Sequence, residues 1–205
     1  LQQYQPRVIG LDIYRPLPVV GNYVDLAKSL RQNEHFIAVC KASDPEVDPE
    51  GVSPPPGIPK ERLGFSDVLA DSKDSVVRRH LLHLTPPPTS PCTTEYAFSL
   101  QLALHYLGKL GIQPSFTAEG YLQFGDVVFK RLSAHTGGYQ KVDTSGYQLL
   151  LNYRPFQSLW DIAPQVTLQQ ILHNQIPPQR VKELQGRIVL IGPTAPSFGD
   201  YWSTP

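Results

Sequence analysis

The chain is 205 residues long, 40% hydrophobic and 18% charged, with Lys plus Arg and Asp plus Glu equal at 18 each. That is the composition of a globular protein long enough for a substantial core, not of a disordered chain. A neutral chain without basic blocks lacks the clustered cations that nucleic acid or an anionic membrane surface demands.

Residues 7–14, RVIGLDIY, form a near-continuous apolar run with β-branched residues, the pattern of a strand buried on both faces. Residues 22–33 follow with Val24, Leu26, Ala27 and Leu30 at helical spacing, and HFIAVCK (35–41) is a second buried strand. A β-α-β unit of this length places the two strands parallel and adjacent. Proline, 21 residues in all, concentrates in the segments 44–61 and 85–92, stiff connectors that cannot lie inside a sheet. Between them GFSDVLAD (64–71) reads as a short helix or turn and SVVRRHLLHL (75–84) as a strand. Residues 93–111 carry the strongest helical stripe, Ala97, Leu100, Leu104, Leu107 and Leu110, with Thr93 as N-cap and Gly111 as stop. Strands are expected at 125–133 and 146–154 around a Gly-rich loop, a short helix at 166–174, and a last strand in RIVLIG (187–192). The fold class is α/β: a single domain with a mostly parallel, mixed sheet flanked by helices.

Motifs for catalysis are missing from this order. The last strand runs into Gly192 and Pro193, but neither GxGxxG nor GxxxxGK[ST] follows, and Pro193 has no N–H to offer a phosphate. No GxSxG elbow occurs. His80 and His83 form HxxH, yet residues three apart in a strand point to opposite faces, so a shared metal is not expected. No cofactor, metal or catalytic residue is assigned. The candidates for a ligand site are polar groups at strand ends. Asp12 sits at the end of the first strand, where open α/β sheets place ligands, with Arg15 just beyond it and Asp200 in the loop after the last strand. Arg78, Arg79 and Arg154 are guanidinium groups able to hold a carboxylate, of a ligand or of Asp12 itself. Arg78 and Arg79 are consecutive, so only one can face inward. The two cysteines, Cys40 and Cys92, read either as free buried thiols or as one disulfide.

Taken in order, VIGLDIYRPLPV, GFSDVLADSKDSVVRRHLL, YAFSLQLALHYL, LLLNYRPF, VTLQQIL and GRIVLIGPTAPSFGDYWSTP resemble the second type of CHASE domain, the cyclase/histidine-kinase-associated sensory extracellular domain. The resemblance spans essentially the whole chain. It implies a bacterial extracytoplasmic sensor domain, residues 1–205, trimmed from a larger membrane protein whose flanking segments cross the membrane. Kinase, nucleotide cyclase or other effector modules would lie beyond them. An oxidising compartment favours a Cys40–Cys92 disulfide. Asp12, Arg78, Arg79, Asn152, Tyr153, Arg154 and Asp200 match the family's motifs. The expected partner is a small-molecule or protein stimulus, without nucleic acid and with homodimerisation open. The alternatives are a structural or dimerisation module with an apolar face on the 93–111 helix and, remotely, a hydrolase with a pocket joining a histidine to Asp12 or Asp200.

Overall fold

The computed structural model describes residues 1–17, 23–155, 158, 162–194 and 201–205. In chain order the elements are β1 (Val8–Leu11), α1 (Tyr23–Gln32), β2 (Phe36–Cys40), β3 (Leu63–Phe65), β4 (Leu69–Ala70), β5 (Val77–His83), α2 (Phe98–Gly108), β6 (Pro114–Phe116), β7 (Leu122–Phe124), β8 (Val127–Phe129), β9 (Tyr147–Leu150), α3 (Leu168–Leu172), α4 (Pro178–Leu184) and β10 (Ile188–Ile191). The architecture is α/β, as the alternation of apolar runs and helical stripes indicates.

The first and last apolar runs meet in a four-stranded parallel sheet of order β10-β1-β2-β3. Val8 lies opposite Ile188, Ile9 opposite Phe36 and Ala38 opposite Leu63. All five residues of β2 are buried, which is what an uninterrupted apolar run requires when both faces of a central strand are covered. On one face Ile9, Ala38 and Leu63 pack with Ile58 and with Leu30 of α1. On the other lies α2, and two glycines set how close it comes. A Cβ on Gly64 would fall 2.6 Å from the Phe98 backbone nitrogen, and one on Gly10 would fall 2.6 Å from the Phe98 ring. The first turn of α2 therefore rests directly on β1 and β3, a contact that only residues without a side chain permit.

α2 is apolar on two sides. Leu102 packs with Val8 and Ile37 against the parallel sheet. Leu100, Leu104 and Leu107, together with Ala97, face the largest core with Phe65, Leu81, Leu82 and Phe124. Leu110, the last residue of the expected stripe, is half exposed.

The 93–111 helix begins later than expected, at Phe98, with Ala97 rather than Thr93 as N-cap. Tertiary pairing holds the preceding residues extended: Thr94 Oγ1 donates to the Leu63 carbonyl at 2.9 Å, Phe65 N–H to Tyr96 O at 2.9 Å, and Ala97 N–H to Leu82 O at 2.9 Å. That short stretch stitches the parallel sheet to β5. The 64–71 segment is not a helix or turn. Leu63–Phe65 adds the edge strand β3, and β4 pairs with β5 as an antiparallel hairpin. β5 and β9 form the rest of a three-stranded antiparallel sheet, Arg79 opposite Leu150 and Leu81 opposite Gln148. β8 does not pair with β9 around the Gly-rich loop. It turns back on β7 at Gly125 (φ 55°), and β6-β7-β8 is a second antiparallel sheet. α3 carries a capping box, Gln170 N–H to Thr167 Oγ1 and Thr167 N–H to the Gln170 side chain. α4, which starts on Pro178, went unread in the sequence.

Cys40 and Cys92 are joined in a disulfide, Cα atoms 5.5 Å apart and both side chains fully buried. The bond ties the end of β2 to the segment that leads into α2. Buried Arg62 donates to the Leu30 and Arg31 carbonyls at 2.8 and 2.6 Å, so a cation closes the C-terminal end of α1. Among the described residues no helix is long and apolar enough to cross a membrane.

Candidate ligand cleft at the end of the parallel sheet

The C-terminal ends of the parallel strands open into a cleft of about 770 Å³, within the usual range for a small-molecule site. Open α/β sheets bind ligands at this edge because the chain leaves each strand there and the loops can diverge. Asp12 and Tyr14 enter it from the end of β1, and Ser66 and Asp67 from the end of β3. Val77, Arg79 and His80 come from β5, Phe98 and Ser99 from the first turn of α2, and Pro193 from the end of β10. Tyr153, past β9, and Trp202 and Thr204, in the last residues of the chain, complete the wall.

Several of the polar groups are held by neighbours. The Tyr14 hydroxyl and Ser66 Oγ are 2.7 Å apart, which joins the exits of β1 and β3. Asp67 Oδ2 accepts from Ala42 N–H at 3.1 Å. Burial pushes the Asp67 carboxyl above its ordinary pKa, only partly offset by that N–H and by Lys41. Lys41 is committed elsewhere, its Nζ 2.6 Å from Asp48. His80 Nε2 lies 2.6 Å from Ser99 Oγ, and burial holds the imidazole below its ordinary pKa, so it is neutral at neutral pH. Tyr153 donates to the Val77 carbonyl at 2.8 Å.

The two consecutive arginines part as the strand period demands. Arg79 is buried and lines the cleft, with Nε donating to Asp71 at 3.1 Å and Nη1 to Gln148 at 2.9 Å. Its guanidinium sits 5.4 Å from the centre of the Tyr139 ring. Arg78, more exposed and off the cleft wall, donates to Asp71 at 2.8 Å and to Asp74 at 2.7 Å, contacts that raise its already high pKa. Asp71 thus carries Arg78, Arg79 and the Tyr139 hydroxyl together. Burial pushes its carboxyl up, but those three partners overcome the burial and hold it below the ordinary carboxylate value.

Of the residues singled out from the sequence, Asp12, Arg79 and Tyr153 come together on the cleft wall. Arg15 and Arg154 are exposed and do not line it, and neither does Arg78, which is more exposed than Arg79. Asp200 lies outside the described residues. Asp67, Phe98, Ser99 and Trp202 were not singled out as site residues. The first was hidden by the reading of 64–71 as a short helix or turn, the next two by the early start assigned to α2.

Both a histidine and Asp12 are on this wall, the arrangement a hydrolase would need. His80 Nε2 is 2.6 Å from Ser99 Oγ, and a triad would further need a carboxylate on the other ring nitrogen to orient the imidazole. No group of three His, Cys, Asp or Glu suited to a metal occurs among the described residues.

A family model described as the CHASE2 domain matches residues 1–205. Neither the curated proteins nor the solved structures contain a match to the chain.

Proposed function

Since the chain belongs to the CHASE2 domain family, whose members are extracellular sensory domains, we propose that it is the sensing module of a membrane-anchored bacterial receptor and that the cleft is its recognition site. The domain binds and does not transform its stimulus, and flanking membrane segments pass the signal to a cytoplasmic kinase, cyclase or other effector.

One observation carries this reading: the last residues of the chain form part of the cleft wall. Trp202 and Thr204 line it, while the Ser203 carbonyl between them accepts from Val77 N–H at 2.9 Å. An occupant therefore touches the parallel sheet, α2 and the C-terminal segment at once. A ligand that binds one placement of that segment better than another shifts the balance between them by its difference in affinity.

Trp202 supplies the test. The chain has two tryptophans, so Trp160→Phe leaves Trp202 as the sole indole. Titrating this variant with a library of small metabolites should give, for at least one chemical class, a saturable change in Trp202 emission and a matching rise in melting temperature. A library that changes neither would overturn the cleft as a sensing site.

Self-association is the second reading, and the exposed apolar residues favour a surface other than the 93–111 helix. The 93–111 helix is covered on both apolar sides, whereas Leu168 and Leu172 of α3 and Leu190 of β10 are each more than 60% exposed. Sedimentation of the wild type beside Leu190→Glu should show a dimer only in the former; identical monomers would sink it.

A further inference from the structure

We infer that the cleft selects a small organic cation, an amine on an apolar body, with the Asp67 carboxylate as its counter-ion. The inference rests on the cleft being the sensing site. The charges on the wall give the sign. Asp12 and Asp67 are carboxylates, Arg79 is the one guanidinium, and its charge is already matched by Asp71 at 3.1 Å. Lys41, the cation whose charge acts on Asp67, is paired with Asp48 at 2.6 Å. No salt bridge to Asp67 occurs among the described residues.

An anion entering here would meet two carboxylates. The first turn of α2 also faces the cleft, and a helix end contributes about half a positive charge. The Asp67 carboxylate, which has no salt-bridge partner among the described residues, outweighs that half charge by itself. His80 is neutral and adds none.

The remaining surface gives the body of the ligand. Tyr14, Phe65, Phe98, Tyr153 and Trp202 place aromatic rings around the space, with Val39, Val68 and Val77 between them. Aromatic faces attract a cation and stack on an apolar or aromatic frame, most strongly where water is excluded. An aliphatic ammonium keeps its charge at neutral pH, and its desolvation is offset by a carboxylate that is itself partly desolvated. A neutral ligand of the same shape would leave the half-buried Asp67 without a counter-ion, an arrangement that charged groups avoid.

Three probes of one shape separate the possibilities: phenethylamine, 2-phenylethanol and 3-phenylpropionate, titrated by calorimetry at neutral pH and low salt. The amine should bind at least tenfold tighter than the alcohol, and the propionate weakest. In Asp67→Asn, which keeps an oxygen for the Ala42 N–H, the amine should lose that advantage while the alcohol is unchanged. Should Asp67→Asn fail to fold, Asp12→Asn, on the exposed side of the cleft, should lower the amine's affinity by a smaller factor. Tightest binding by the propionate, equal binding by all three, or no binding by any would overturn the cation assignment. The first two outcomes leave the cleft standing as a sensing site, and after the third the metabolite library with Trp202 emission decides it independently.

Discussion

Asp71 shows how much depends on one carboxylate. It is 12% exposed, and through Arg79 it fixes one wall of the cleft while through Tyr139 it holds the Gly-rich loop before β9. Asp71→Asn leaves the buried Arg79 guanidinium without its counter-charge, and losing one partner of a buried pair costs about 3 kcal/mol. Urea unfolding should show that loss, with the slope unchanged. The folded pKa of Asp71 lies below the ordinary value, so its stabilisation is present above about pH 4 and drains away as pH falls through the lower folded value. Asp48, Asp74 and Asp143 are shifted the same way. The Asp71→Asn variant should therefore lose only part of its acid sensitivity, and a profile identical to wild type would refute the hub. The alternation of Arg78 and Arg79 was legible in the sequence because strand period is local. Their partner was not, although Asp71 stands only seven residues before Arg78. Asp12 was the partner considered there, and a helix or turn at 64–71 leaves no hairpin to bring Asp71 alongside.

At the scale of elements, the disulfide and the helix ends carry the same lesson. Cys40 and Cys92 lie 52 positions apart, and closing a loop of that length is worth about 4 kcal/mol in the chain-entropy model. The bond spans both proline-rich segments, which contribute little sheet pairing of their own. Reduction, or the pair Cys40→Ala and Cys92→Ala, should lower the urea midpoint by an amount equivalent to several kcal/mol. Unreduced protein should resist alkylation at both positions. Full alkylation without reductant would remove the bond from the account. Whether the cysteines pair was open from composition, because no rule of spacing chooses between a buried thiol and a bridge. The helix stripe at 100, 104 and 107 was readable for the opposite reason, since period 3.6 is written into the residues themselves. Its start was not. Nothing local tells Thr94 to bond Leu63 instead of opening a helix.

For the whole molecule the cleft is where sheet, helix and C-terminal segment meet, and its charge state should follow pH. The groups around Asp67 are Tyr14, Lys41 and Asp48, with Asp12, Arg79 and His80 on the same wall. Burial raises the Asp67 pKa, so on acidification it takes up a proton earlier than a solvated aspartate and ceases to attract a cation. Phenethylamine affinity should accordingly be flat near neutrality and fall as pH drops through the raised Asp67 value, while 2-phenylethanol stays level. Protonation of His80, whose pKa is lowered, weakens the cation in the same direction, so part of the slope should survive in Asp67→Asn. Equal slopes for amine and alcohol would count against the assignment.

The sequence by itself determined the α/β class, the parallel pairing of the first two strands and the strand-end position of Asp12. It also determined the division of labour between Arg78 and Arg79, and the family through motifs in a fixed order. All of these are properties of period, composition or order along the chain. The tertiary structure decided which residues share the cleft, because Asp12, Asp67, His80, Ser99, Tyr153 and Trp202 come from six separate stretches. It also decided the pairing partners of β3, β8 and β9, since hydrogen bonds between strands are chosen by what packs across them, not by what lies beside them in sequence. Gly125–Asp126 marks that boundary well: the dipeptide is a recognised turn signal between two strands, yet within GDVVFKRLS it read as the start of one strand. Only the pairing of Phe124 with Val127 shows that it is a turn.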